Sequence, residues 1–294
     1  MSGNQKLIVT HHAPDLDAIS SIWLLQRFDA QHYAGSRVAF VNPGDTITEQ
    51  EAAQKGAALE ETTHVDTGLG EFDHHDAVRG LDRSVCSATL VYDHLIKVHP
   101  DLTDDQTLKT LIAHVLDVDH FGEAFWPDAN HPRYQFMLLH IIDGMDATLH
   151  EDDQYQVDFG SKCLDFIYAS LNNFLRAQEK IATKGKAFPI KDGQALAIET
   201  SNDDVVSVAQ KDGYQLVIRK DSKNGQARIK ARPDTPFDLR RVYERVVATD
   251  QTGYWFYHPS GKMVLNGSNK TTGKTPTPLS LDELVKIVQE ELGA

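Results

Sequence analysis

His11, Asp15 and Asp17 fall together in the stretch THHAPDLDAISS, and three further segments offer the same residue types. Asp66 lies in HVDTG, Asp73, His74, His75 and Asp76 in FDHHD, and Asp117 and Asp119 in VLDVDHFG. Carboxylate and imidazole without thiol make up the donor set of hard or borderline divalent cations. The two cysteines, Cys86 and Cys163, give neither a disulfide framework nor a cysteine-rich zinc pattern. Four carboxylates gathered without cations would repel one another and raise one another's pKa values. Two divalent ions make such a cluster reasonable. One carboxylate bridges the ions, imidazoles complete each set of donors, and a shared water loses a proton to become a nucleophile. Ions roughly 3.5–4 Å apart suit in-line attack at a phosphoryl centre, where attacking and leaving oxygens are both stabilised.

Each segment alone has a plainer meaning. Asp15 and Asp17 could cap a helix, and two adjacent histidines are common on loops. The elements around them favour a shared site. KLIVT reads as a buried strand, AISSIWLLQRF as a helix with an apolar face, RVAFV as a second strand and TEQEAAQKGAALEE as a second helix. THVDTG gives a third strand, and SATLVYDHLIKV and DDQTLKTLIAHVL two more helices. Strand–helix alternation implies an α/β fold, a parallel sheet with helices on both faces. In such a sheet, ligands bind outside the carboxyl ends of the strands. All four donor segments lie where a strand or apolar run gives way to a loop.

From His131 to Lys180 the pattern is helical, and beyond it come strand-like pieces: QALAIET, YQLVIRK, QARIKA and GYWFYH. A last helix, LSLDELVKIVQEEL, opens with Ser280 and Glu283 spaced as a capping box. The expected organisation is a metal-binding domain over 1–150, a helical connector over 151–186, and a smaller mixed α+β domain over 187–294. No apolar run approaches a membrane span, and MSGNQKLIVT lacks the layout of a signal peptide, so a cytoplasmic protein without membrane contact is expected.

In order, THHAPDLDAISS, VDTG, DHH with a following SATLVYD, and LDVDHFG resemble the motifs of the DHH phosphoesterase superfamily. That group includes RecJ-like exonucleases, oligoribonucleases and family II inorganic pyrophosphatases. The resemblance implies a DHH-type catalytic domain. It further implies one Mn²⁺ held by His11, Asp15 and Asp66 and a second by Asp17, Asp66, His74 and Asp117, with Asp66 bridging. Mg²⁺ or Co²⁺ could substitute. It also implies that His75 faces the substrate phosphate while Asp73 orients a histidine. Asp117 is preferred to Asp119 from the position of Phe121. The GGGH signature of the nucleic-acid-binding module and the SRKKQ-like signature of the pyrophosphatases are absent. KAFPIKDGQALAIE, RIKARPDTPFDLRR and WFYHPSGKMVLNGSNKTTGKTPTPLSLDELVKIV weakly resemble the C-terminal half of the MYG (melanocyte-proliferating-gene) family, which is linked to RNA exonuclease activity.

The net charge of −14 is carried by the first 150 residues, with 9 Lys+Arg against 23 Asp+Glu and 13 of the 14 histidines. Residues 211–245 instead hold ten Lys+Arg against five Asp+Glu, an excess suited to a phosphate-bearing partner. His258, Lys262, Ser268, Asn269 and Lys270 sit in Gly-rich turns that could meet an anion, or in an ordinary hairpin. Of Tyr254, Trp255, Phe256 and Tyr257, alternation sends two to the core and leaves two for base stacking. The expected activity is manganese-dependent hydrolysis of a nucleotide phosphodiester, a short single-stranded oligonucleotide above all, by metal-activated hydroxide. A small-molecule phosphatase or pyrophosphatase is the second expectation and a non-catalytic metal-binding regulator the third; a homodimer is compatible with each.

Overall fold

The computed structural model describes residues 6–149, 152–191, 193–267 and 273–293. The chain divides into two compact units, Met1–Ala169 and Ser170–Ala294. In the first, β1 (Leu7–His11) lies between β2 (Val38–Val41) and β3 (Thr62–His64), and both pairings are parallel. The helices of this unit are α1 (Leu16–Phe28), α2 (Ala30–Tyr33), α3 (Glu49–Gln54), α4 (Ser87–Val98), α5 (Gln106–Asp119), α6 (Leu138–Leu149) and the first part of α7 (Asp153–Lys184). Parallel neighbours cannot be joined by a hairpin, so α1 and α2 carry the chain from β1 to β2 and α3 from β2 to β3.

Leu7, Ile8 and Val9 are all buried although their side chains alternate, so both faces of the central strand are covered. Leu7 and Val9 pack with Ala39, Val41, Ile47 and Ala52. α1, buried over most of its length, packs on α4 and α5. The helix expected over TEQEAAQKGAALEE stops at Gln54, because Gly56 takes the left-handed φ of +69° that ends it.

α7 serves both units. The Trp23 indole donates to Asp165 at 3.1 Å, and the Tyr168 hydroxyl donates to Asp105. Further along, Ala177, Phe174 and Ile181 pack into the core of the second unit. The division therefore falls inside this helix, in the segment expected as a helical connector over 151–186.

The second unit is a six-stranded mixed sheet of β4 (Lys186–Ile190), β5 (Gly193–Glu199), β6 (Leu216–Lys220), β7 (Ala227–Ala231), β8 (Trp255–Tyr257) and β9 (Met263–Asn266), in the order β4-β5-β6-β7-β9-β8. Only β5 and β6 are parallel, and α8 (Val205–Lys211) crosses between them. Alternation sorts the core. Ala195, Ala197, Leu216, Ile218 and Ile229 pack with residues of α9 (Arg240–Thr249) and α10 (Leu281–Leu292), while Leu196, Ile198 and Val217 pack with α8 and the end of α7. Ser280 and Glu283 form the expected capping box on α10. Among the described residues, no helix is long and apolar enough to cross a membrane.

Candidate metal centre

The carboxyl ends of β1 and β3 place the first donors. His11 is the last residue of β1. Its Nδ1–H donates to the His12 carbonyl at 2.8 Å, which leaves Nε2 facing Asp66 Oδ2 at 3.4 Å. Asp15 is the N-cap of α1: Oδ1 accepts from the N–H groups of Asp17 and Ala18, so Oδ2 is free of the helix. Asp66 lies two residues beyond β3 at φ +56°, a left-handed conformation uncommon for residues with a Cβ, though aspartate is among those that adopt it most. Its N–H donates to Phe72 at 2.9 Å, tying HVDTG to FDHHD.

Two helix ends and the loop after β3 place the rest. Asp17 is fully enclosed, and its two oxygens accept from the Ser87 and Ala88 N–H groups at 2.7 and 2.8 Å. Those are the first amides of α4, where unpaired N–H groups and the helix dipole favour a carboxylate. His74 Nε2 lies 3.5 Å from Asp66 Oδ1, 3.7 Å from Asp119 Oδ2 and 3.9 Å from Asp17 Oδ2. Asp73, wholly buried, accepts from Leu69 N–H and from both His75 N–H and His75 Nδ1–H, the last at 2.7 Å. It thereby orients His75, whose side chain is 58% exposed.

Three donor groups result: His11, Asp15 and Asp66; Asp17, His74 and Asp119; and Asp66, His74 and His75. The structure brings Asp119, and not the expected Asp117, together with Asp17 and His74. Two residues along a helix turn the side chain by about 200°, so only one of the pair can face the cluster. Asp117 instead accepts from the Trp126 indole at 2.8 Å. The aromatic position of Phe121 does not discriminate between them.

The electrostatics are those of a site built around positive charge. Burial raises the Asp17 carboxyl well above its ordinary value, and the charges of Asp66 and Asp119 add to the rise. Burial also raises Asp15, with Asp66 contributing. Asp119 is lifted to about 6 by burial, against the partly offsetting charge of His74. Asp66 would be raised by burial too, yet the hydrogen bond from His11 and the facing imidazole of His74 bring it down to about 2. Burial opposes protonation of His11, but Asp66 raises its imidazole to about 9.

Divalent cations fit these residues on one structural observation. Asp66 Oδ1, both ring nitrogens of His74 and Asp119 Oδ2 are buried without a hydrogen-bond partner. Buried polar atoms without a hydrogen bond are rare and costly, and here Asp66 Oδ1, His74 Nε2 and Asp119 Oδ2 converge. A cavity of about 420 Å³ opens above them, lined by His11, Asp15, Pro43, Gly44, Asp66, His75 and Asp119. Asp119→Asn is therefore expected to weaken Mn²⁺ binding by more than about tenfold in calorimetric titration. Asp117→Asn should leave affinity unchanged and lose at most the Trp126 hydrogen bond, about 1 kcal/mol of stability.

Of the C-terminal residues singled out by sequence, His258 and Lys262 lie among the described residues. Lys262 Nζ donates to the carbonyls of Thr235 and Phe237 at 2.6 and 2.7 Å, so its charge braces a loop. His258 Nδ1 pairs with the Ser260 hydroxyl at 2.8 Å. Ser268, Asn269 and Lys270 lie outside the described residues. In the aromatic run Trp255 is buried while Tyr254 and Phe256 are exposed, as alternation requires. No local signal announces that the amides of Ser87 and Ala88 hold Asp17. That Gly44 lines the cavity has one local mark, a glycine in NPGDT just past the end of β2, at φ +83°.

No family model matches the chain, and no curated protein matches it. Solved structures similar to it include a DHH domain described as belonging to a family of ribosomal proteins, at 11% identity and a TM-score of 0.33, covering 99% of this chain and 88% of the other. A second is the exonuclease RecJ bound to manganese, at 12% identity and a TM-score of 0.32, covering 98% and 90%. A third is RecJ in complex with Mn²⁺ from Thermus thermophilus, at 13% identity and a TM-score of 0.30, covering 97% of this chain and 52% of that one. The likeness is distant; what this chain can do chemically follows from its own residues.

Proposed function

We propose that this protein is a divalent-metal-dependent phosphoesterase that hydrolyses a nucleotide phosphodiester, with short oligonucleotides as substrate and Mn²⁺ as the working ion. The observation that carries the reading is the convergence of unpaired, buried Asp66 Oδ1, His74 Nε2 and Asp119 Oδ2 beneath an open cavity. His11, Asp15 and Asp66 would hold one ion, and Asp17, Asp66, His74 and Asp119 the other. When bound, such ions supply charge neutralisation at a phosphoryl group and lower the pKa of a water.

The chain's own residues do the rest. Asp73 fixes the His75 ring by its Nδ1–H, so that the remaining ring nitrogen of this cavity-lining residue would be available to a phosphate oxygen. Gly44, without a side chain, leaves room at the rim. In the second unit, exposed Lys211, Lys223, Arg240 and Arg241 belong to the basic stretch and suit a partner with several phosphates.

The test is a hydrolysis screen with and without Mn²⁺ over short RNAs, short DNAs, cyclic dinucleotides, dinucleotide polyphosphates and pyrophosphate. Turnover should be fastest on a short oligonucleotide and vanish on chelation. Turnover of pyrophosphate alone would replace this reading with the small-molecule one, and no turnover on any phosphoester would end both.

A further inference from the structure

Asp153, the first residue of α7, sends its carboxylate 140 positions back along the chain. Oδ1 accepts from Ala13 N–H at 2.9 Å, and Oδ2 accepts from His12 Nδ1–H at 2.6 Å. An acid in the first turn of a helix ordinarily serves that helix's own amides and dipole. Here Asp152 does so, accepting from Tyr155 N–H at 3.0 Å. The Asp153 side chain, only 9% exposed, is committed to the β1–α1 loop.

That loop joins His11 to Asp15, two donors of one candidate ion group. Its central peptide is held on both sides. The His12 carbonyl accepts from His11 Nδ1–H, while the N–H of the same peptide unit, on Ala13, donates to Asp153. Ala13 sits at φ +51°, which a residue with a Cβ keeps only under constraint. If the peptide turned, the His11 ring would lose the bond that sets its tautomer and directs Nε2 toward Asp66.

We propose that Asp153 is a positioning residue for the metal centre: by gripping the His12–Ala13 peptide it sets His11 and Asp15 in register for one divalent cation. The proposal rests on the metal-binding reading above. It distinguishes an acid that acts through the loop from one that merely starts a helix.

Mn²⁺ titration of the full chain, followed by the electron paramagnetic resonance of free Mn²⁺, tests it alongside thermal unfolding without metal. Asp153→Ala should raise the dissociation constant of one of two ions by about 10–100-fold, the range for removing an outer partner of a ligand. Asp153→Ser, too short to reach Ala13 but compatible with a helix start, should do the same and stands in if the alanine variant does not fold. Asp153→Asn keeps an oxygen for Ala13 N–H and should stay within about threefold of the wild type. Asp152→Ala should lower thermal stability yet leave affinity alone. Unchanged affinity in the alanine and serine variants would overturn the positioning role while leaving the metal centre intact. So would an asparagine variant as weak as they are, or an Asp152→Ala variant weakened equally. A wild-type chain that takes up no Mn²⁺ would overturn the metal-binding reading and the proposal together.

Discussion

Asp66→Asn is expected to abolish metal-dependent hydrolysis, lowering kcat/KM by more than about 10²-fold, beyond the 10–100-fold usual for outer partners of a ligand. Asp66 belongs to two of the three donor groups, and its Oδ1 lies 3.5 Å from the histidine of the third. Losing its charge therefore removes a donor from both candidate ion sites at once. Asparagine is the informative substitution because Asp66 occupies a left-handed backbone position at φ +56°, which asparagine tolerates better than alanine. The side-chain volume also stays constant, so a loss of rate reports chemistry and not a collapsed loop. Initial rates measured against Mn²⁺ concentration give the decisive pattern: added Mn²⁺ should not restore the variant. A rate within about threefold of the wild type, or full recovery at high Mn²⁺, would exclude Asp66 as the shared carboxylate.

The donor segments were legible because each is short, polar and set at the end of an apolar run. β1, α4 and the Ser280 cap follow from local pattern for the same reason. Remote pairings were not legible. Nothing near Asp17 announces that amides 70 positions away hold it, and nothing near Lys262 announces the carbonyls it braces. Asp117 and Asp119 could not be separated because the choice depends on the rotation of α5 about its axis, which is set by where Leu108, Leu111, Ile112 and Val115 are buried. α9 was missed because its ten residues carry few apolar side chains among charged ones, although Val242, Tyr243 and Val246 pack on the core. β4 was missed because it carries Pro189, tolerated only since the strand sits at the sheet edge, and so lacks a clear strand signature. The chemistry lay in local composition and the architecture of the second unit in contacts between distant segments.

Mn²⁺ should stabilise the chain, and by more at about pH 8 than at about pH 5.5, because protons compete with the ion for its donors. In the metal-free protein Asp119 is raised to about 6, so the folded state binds its proton more tightly than the unfolded chain does. Stability from that group is present below about pH 4 and is lost as pH rises through about 6. His11 is raised to about 9, so its contribution is present below its ordinary value near 6.5 and is lost as pH rises through about 9. Both groups make the metal-free fold weaker as pH climbs. Metal binding runs the other way, because ionised carboxylates and neutral imidazoles are the binding forms. At a free Mn²⁺ concentration about a hundred times the dissociation constant, one site contributes about 2.7 kcal/mol. For a unit of this size that is a rise in melting temperature on the order of 5–10 °C. Scanning calorimetry in Mn²⁺ and in chelator at the two pH values measures the difference directly. A rise as large at the lower pH as at the higher would mean that Asp119 and His11 do not share their protons with the metal site. No rise at either pH would mean that the unpaired atoms around Asp66 are not metal donors.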